Sequence, residues 1–299
     1  MKDESGYRPA LGYLAATLVM LIWASWLVAS RSAAQSPLTI YDLAAMRYGI
    51  SAIFAAPFVI YFKAWESIPI KRILVFSFLL SPFYILCVFN GFNYAPAAHG
   101  GIFMNGVLPA VTLLIGWLWL SEKASVIQLL GVALIFIGAV LAVIDGSTLS
   151  LADSWRGDLF FVGGALFFSG YLVIGRLWKI TTLQILLCSS VINAILYVPI
   201  WAFFLPSGIA QSNDQQLLLQ VLYQGLIPNL LGLLLVGYAI RQIGSASTAA
   251  FMAGVPALGT VLSMFLLDEF PGIYGWLSLL ILTPGILMVA VYRRSRIIQ

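Results

Sequence analysis

Leu108-Pro-Ala-Val-Thr-Leu-Leu-Ile-Gly-Trp-Leu-Trp-Leu-Ser-Glu122 is echoed by Val255-Pro-Ala-Leu-Gly-Thr-Val-Leu-Ser-Met-Phe-Leu-Leu-Asp-Glu269. Pro109-Ala110 lies over Pro256-Ala257 and Leu120-Ser-Glu122 over Leu267-Asp-Glu269, at a separation of 147 residues. Working outward, Gly138 meets Gly285 at the same separation, and the earlier segments match at nearly the same one. Pro57 pairs with Pro199, with Ala52-Ile53 over Ala194-Ile195; Pro82 pairs with Pro228, and Gly91-Phe92 with Gly237-Tyr238. Trp23-Ala-Ser-Trp-Leu-Val-Ala-Ser-Arg31 aligns with Phe168-Ser-Gly-Tyr-Leu-Val-Ile-Gly-Arg176. Self-similarity of this kind must be read before any fold is proposed, and it divides the chain into residues 1–146 and 147–299.

Water is not the main solvent of such a chain. Of 299 residues 62% are hydrophobic and 9% charged, and the mean hydropathy is +1.00. A bilayer core about 30 Å thick takes roughly 20 apolar residues per helical span. Ten runs of suitable length occur: Gly12 to Ala29, Ile40 to Phe62, Ile73 to Ala95, Gly100 to Leu120 and Val126 to Ile144, then Leu159 to Ile174, Leu183 to Phe204, Leu217 to Ile240, Thr248 to Leu267 and Ile273 to Tyr292. They are continuously apolar and not alternating, which predicts helices and not a barrel. The first run passes through Trp23 and Trp26 without a small-x-small cleavage site, so it reads as a span and not a signal peptide. Cys87 and Cys188 both fall inside spans, which gives no disulfide framework and no metal site.

The cations orient the chain. With the amino terminus cytoplasmic, that side holds Lys2, Arg8, Lys63, Lys71, Arg72, Lys123, Arg176, Lys179, Arg241, Arg293, Arg294 and Arg296, whereas the other holds Arg31 and Arg156. The positive-inside rule then places both termini in the cytoplasm of an inner-membrane, multi-pass protein. This asymmetry accounts for the net charge of +4 without a nucleic-acid partner. Trp65, Trp117, Trp119, Trp155, Trp201 and Trp276 lie near span ends, as an interfacial aromatic belt requires. Five spans are an odd number, so the second copy enters the membrane from the opposite side. The predicted fold is an all-α integral membrane protein of ten transmembrane helices, arranged as two inverted five-helix repeats around a central cavity, the recurring construction of secondary transporters.

The pattern Pro109, Leu120-Ser-Glu122, Gly131 and Gly138, echoed by Pro256, Asp268-Glu269 and Gly285, resembles the EamA-type repeats of the drug/metabolite transporter superfamily. The aromatic-rich first half looks most like the YddG group of aromatic amino acid exporters. The resemblance implies a ten-helix basket that exports amino acids, aromatic and other apolar ones, by alternating access; drugs or other small metabolites are the alternative cargo.

The residues that could carry transport follow from physical chemistry. Pro109 and Pro256 free the carbonyls of Asn105 and Met252 and mark hinges, unless each is a static kink packed by its neighbours. Trp23 and Trp26 share one face of the first helix, and Phe168 and Tyr171 the matching face of the sixth. Phe83, Tyr84, Cys87, Asn90 and Tyr94 form a stripe on the third, and Phe251 with Met252 precedes the proline of the ninth. Such rings suit stacking and cation–π contact with substrate, although plain packing gives the same stripe. Asn90, Asn93, Asn105, Asn193 and Asn229 are expected to point inward, because amides facing lipid are costly. Arg47, inside the second span, should pair, snorkel or serve a site such as one for a substrate carboxylate; structural pairing is the favoured expectation, although Asp42, the nearest acid in sequence, is turned about 140° around the helix and is not an ideal partner. Glu122 and Glu269 are expected to favour the start of the helix that follows each.

Other classes fit poorly. No GxxxxGK[ST] loop occurs, so direct use of ATP is not expected. His99, the lone histidine, leaves no catalytic set for an intramembrane enzyme and no obvious proton relay. A channel remains the rival that flux measurements would separate. No cofactor and no metal are expected; the partners are a small-molecule substrate and the lipid bilayer.

Overall fold

Every one of the ten apolar runs is helical in the computed structural model, which describes residues 8–121, 123–145 and 153–291. The helices are α1 (Pro9–Ala34), α2 (Ile40–Tyr61), α3 (Ile70–Tyr94), α4 (Ala97–Leu120), α5 (Val126–Ile144), α6 (Ser154–Trp178), α7 (Thr182–Phe204), α8 (Asp214–Met252), α9 (Val255–Leu266) and α10 (Ile273–Val291). No strand occurs among the described residues. All but α9 are long and apolar enough to cross a bilayer on their own.

Two boundaries differ from expectation in an informative way. Helix α1 continues past Ala29 to Ala34, which puts Arg31 inside a helix and not in a loop. The polar stretch expected to be a loop between the eighth and ninth spans is helical on both sides of Gly244, whose φ of 81° and ψ of 162° break α8. Glycine alone enters that region without strain. The end of α8 therefore forms the first part of the ninth crossing, which α9 completes after a turn at Ala253 and Gly254.

Three of the prolines mark restarts of helical segments, while Pro57, Pro199, Pro228 and Pro284 lie inside helices. Helix α3 breaks at Leu80 and Ser81 and restarts at Pro82; α4 restarts at Leu108-Pro109, and α9 begins at Val255-Pro256. Proline is favoured at a first helical turn because the N–H it lacks would be unpaired there anyway.

Helix α1 packs on α8 and α9, and α6 packs on α3 and α4; α5 lies along α10; α2 meets α7 and the first part of α8, and α7 meets α3. Exchanging α1 with α6, α2 with α7, and so on to α5 with α10 leaves these neighbour relations unchanged. Small residues set the closest approach. A Cβ built on Gly131 would lie 2.8 Å from the carbonyl oxygen of Gly285, and one on Gly285 would lie 2.8 Å from that of Gly131. A Cβ on Gly138 would meet Leu282 Cβ at 2.8 Å and the Ser278 carbonyl at 3.1 Å. Membrane helices approach this closely where side chains are absent, because lipid offers no hydrophobic drive to hold them together otherwise.

The outer surface is apolar. Phe58 and Ile60 of α2, Phe136 and Val140 of α5, Phe203 of α7 and Leu280 of α10 are all exposed, a belt far larger than a monomer in water tolerates. Trp65, Trp117, Trp119, Trp155 and Trp276 are exposed as well. Trp201 turns inward instead, and its indole N–H donates to Asp42 Oδ1 at 2.9 Å.

Candidate functional site: a central aromatic cavity

A cavity of about 130 Å³ lies among α1, α2, α3, α4, α6, α7 and α8, roughly ten times the room one water needs. Trp23 and Trp26 come to it from α1, and Tyr84 from α3 meets Phe168 and Tyr171 from α6. The Tyr84 and Phe168 rings stack with their planes inclined by 29° and centroids 5.9 Å apart, and Phe168 and Tyr171 lie 5.1 Å apart. Asn105, Ser189 and Asn229 are polar lining residues; Arg47 is the one charged residue among the described lining.

All three of these polar groups stand on widened, π-helical turns: Asn105 within Gly100–Gly106, Ser189 within Leu187–Ile192, and Asn229 within Val221–Leu231. A π-turn adds a residue to the helical circuit and so re-aims the side chains that follow; such turns recur at functional sites. Hydropathy carries no sign of them.

Trp26 is held by a polar ladder that sequence reading missed. Its indole N–H donates to Gln224 Oε1 at 2.8 Å. The Gln224 amide donates to Ser30 Oγ at 3.2 Å and to Gln220 Oε1 at 2.9 Å, and Gln220 donates to the Ala29 carbonyl at 2.8 Å. Both glutamines are fully buried, and the ladder joins α1 to α8. Gln224→Leu leaves the indole N–H and the Gln220 carbonyl oxygen unpaired in an apolar interior, at about 1–3 kcal/mol for each stranded group. The expected result is a lower thermal transition and a changed Trp26 emission in detergent.

The structure corrects the expectation for Arg47. Asp42 does not pair with it: the Asp42 carboxylate accepts from Thr39 N–H, Thr39 Oγ1 and Gly208 N–H, each at 2.9 Å, and from Trp201. No acid forms an ion pair with Arg47 among the described residues. Its guanidinium instead lies 5.8 Å from the Trp26 ring centroid, facing the cavity. A second recess of about 30 Å³ adjoins it, lined by Arg47, Tyr48, Ser189, Ser190 and Asn229 among others.

Of the residues singled out in the sequence, Trp23, Trp26, Tyr84, Asn105, Phe168, Tyr171 and Arg47 are brought together here. Asn90, Phe251 and Met252 are not among the lining residues. Six residues turn Asn90 about 240° around the helix from Tyr84, so the two cannot share a face. Phe251 packs on Tyr13, with centroids 6.1 Å apart. Phe83 is exposed, and Tyr94 stacks on Phe160 at 6.0 Å. Asn193 is buried and donates to the Leu80 carbonyl at 2.9 Å. Asn93 departs from the inward expectation: it is exposed beside the end of α3, where water and headgroups replace hydrocarbon. Pro109 and Pro256 sit at helix restarts; a Cβ on Gly101 would come within 3.0 Å of Pro256 Cα, which marks where α4 and α9 touch. Glu122 lies outside the described residues.

Glu269 does not cap the start of α10. It is buried, accepts from Arg31 Nε at 2.7 Å, and accepts from the Ala97 N–H at 2.8 Å through its other oxygen. Arg31 also donates to the Phe92 carbonyl. One ion pair between α1 and the segment after α9 thus grips both sides of the turn at Ala95 and Pro96, using the orphan carbonyl at the end of α3 and the orphan N–H at the start of α4. Nearby, His99 Nδ1 lies 2.7 Å from Asp158 Oδ1, both side chains buried, which ties α4 to α6. His99, the lone histidine, is therefore part of a buried pair close to the turn at Ala95 and Pro96. Together these contacts tie α1, α6 and the segment after α9 to the start of α4.

No group of His, Cys, Asp and Glu able to hold a metal occurs among the described residues. The model of the EamA-like transporter family matches residues 10–144 and again residues 155–291. An uncharacterized transporter, YyaM of Bacillus subtilis (strain 168), is 24% identical over 229 residues, 74% of each chain. A protein of known crystal structure superposes with a TM-score of 0.62 at 16% identity, covering 93% of this chain and 95% of that one; at this identity the likeness is one of fold alone.

Proposed function

This chain belongs to the EamA-like transporter family, and from that premise we propose that it exports amino acids, aromatic and other apolar ones, across the inner membrane by alternating access. The family and the YyaM relative make it a multi-pass membrane transporter of a small molecule rather than an enzyme. The finer reading rests on one observation: a midbundle cavity with two tryptophans from α1 and the Tyr84, Phe168 and Tyr171 rings from α3 and α6. Aromatic walls favour indole and phenyl groups by offset and edge-on ring contact. The export direction follows the resemblance to the YddG exporters.

In this reading residues 1–146 and 147–299 are inverted copies with both termini cytoplasmic. The exchange of neighbours described above supports it, as does the shared separation of 147 residues that carries the Gly131–Gly285 contact onto Ser278–Gly138. The two halves rock about the breaks before Pro109 and Pro256, and the Arg31–Glu269 end is the outer mouth, held shut.

Purified protein in liposomes, screened by counterflow against every amino acid, tests the proposal. Saturable exchange of tryptophan, phenylalanine and tyrosine is the expected result, reduced by Trp23→Ala. Pro256→Ala is expected to lower flux while the thermal transition stays within a few degrees, since alanine restores an N–H without removing packing volume on the scale of a core deletion. Flux of no amino acid at all would assign the carrier to another metabolite or drug, and ion-like conductance would make it a channel.

A further inference from the structure

A positive charge without an acidic partner, set in an aromatic cavity, asks for an anion. Arg47 has no acidic partner among the described residues, and no acidic residue lines either the cavity or the recess beside it. Within a membrane protein an uncompensated guanidinium is costly, and such groups pair or mark a substrate path. The recess of about 30 Å³ adds the Ser189 and Ser190 hydroxyls next to the guanidinium. Its size suits a carboxylate, and arginine offers a planar fork that matches one with two parallel hydrogen bonds. The larger cavity beyond it is walled by rings and suits an aromatic body. An ammonium finds less: no carboxylate receives it there, and Arg47 repels it.

We propose that this site recognises its cargo through the carboxylate and not the amine, so that aromatic carboxylic acids lacking an amino group are carried as well as the amino acids, while aromatic amines lacking a carboxylate are refused. The inference rests on the transport reading above and adds the rule of selection. Arg47 is the residue that imposes it.

The test uses the full chain in liposomes with three probes of one shape: phenylalanine, 3-phenylpropionate and phenethylamine. Phenylpropionate should exchange within roughly tenfold of phenylalanine, and phenethylamine should not rise above protein-free liposomes. Arg47→Gln should raise the KM for phenylpropionate roughly tenfold or more, the scale of a lost charge-assisted contact. Arg47→Lys, which keeps the charge without the fork, should fall between the two. Tryptophan fluorescence in detergent reads binding separately, since Trp26 lies beside Arg47. Phenethylamine carried or bound as well as phenylpropionate, or an unchanged preference in folded Arg47→Gln, overturns the proposal. Absence of flux for all three probes would sink the aromatic-cargo reading above, whereas the order of binding by fluorescence would still decide the rule of selection.

Discussion

Glu269→Ala is expected to destabilise the protein by roughly 3–5 kcal/mol, the cost of leaving one member of a buried ion pair without its partner. The side chains of Arg31 and Glu269 are only 7% and 3% exposed, so water cannot replace the lost carboxylate. The loss exceeds that of an ordinary pair because the same carboxylate also takes the Ala97 N–H. Arg31→Met combined with Glu269→Leu removes both charges and keeps apolar volume, and it should recover most of the thermal stability. It should not recover the clasp on the turn at Ala95 and Pro96. A cysteine at the half-buried Ala98 should then react faster with a membrane-impermeant maleimide in the double variant than with the pair intact. Equal labelling rates would show that the ion pair stabilises the fold without holding the mouth shut.

Gly285→Leu is expected to force α5 and α10 apart. Its Cβ would sit 2.8 Å from the Gly131 carbonyl oxygen and 3.0 Å from both the Ile135 nitrogen and Leu134 Cβ. Two of these three atoms are backbone, so no rotamer change relieves the clash and α5 must move away from α10. Overpacked cores lose about 1–3 kcal/mol where side chains can yield; here the expected loss lies at or above the top of that range. Monodisperse protein should be scarce on size-exclusion chromatography, and what is recovered should melt well below the parent. Gly163→Ala is the control, because its Cβ would meet only Cys87 Sγ, at 3.9 Å. Comparable losses in both variants would refute the idea that the glycine crossing matters.

The ten helices were legible because lipid demands long apolar runs, and their ends fall within five residues of expectation except between the eighth and ninth, where helix continues past Ile240 to Met252 and α9 begins at Val255 and not Thr248. The merged α8 was not, since Gly244-Ser-Ala-Ser reads as a polar loop unless one knows that a single glycine rotates the backbone between two helices. In the site, Trp23, Trp26, Phe168 and Tyr171 were legible from helical spacing alone, which does not depend on neighbours. Gln220, Gln224 and Asp158 were not: Gln220 and Asp158 lie near span ends, where a polar residue ordinarily faces water, and Gln224 lies about two turns inside its span, so only packing reveals the three as a buried set. Arg47 was legible as a costly cation, but the expectation that it pairs with a protein acid rested on a general tendency of buried charges, and Asp42, the nearest acid, is engaged by four other donors.

Arg47 also ties the carrier to the voltage across the membrane. Under the proposed mechanism, a cavity that opens inward brings the guanidinium to the cytoplasmic potential, and one that opens outward brings it to the external potential. Moving one elementary charge across the full field is worth about 2.3 kcal/mol per 100 mV. A carboxylic acid without an amine neutralises that charge, so its loaded step feels little of the field, whereas a zwitterionic amino acid leaves the net charge at +1; the return of the empty carrier feels the field in either case. An inside-negative cell therefore draws the empty carrier toward the face where its cargo waits.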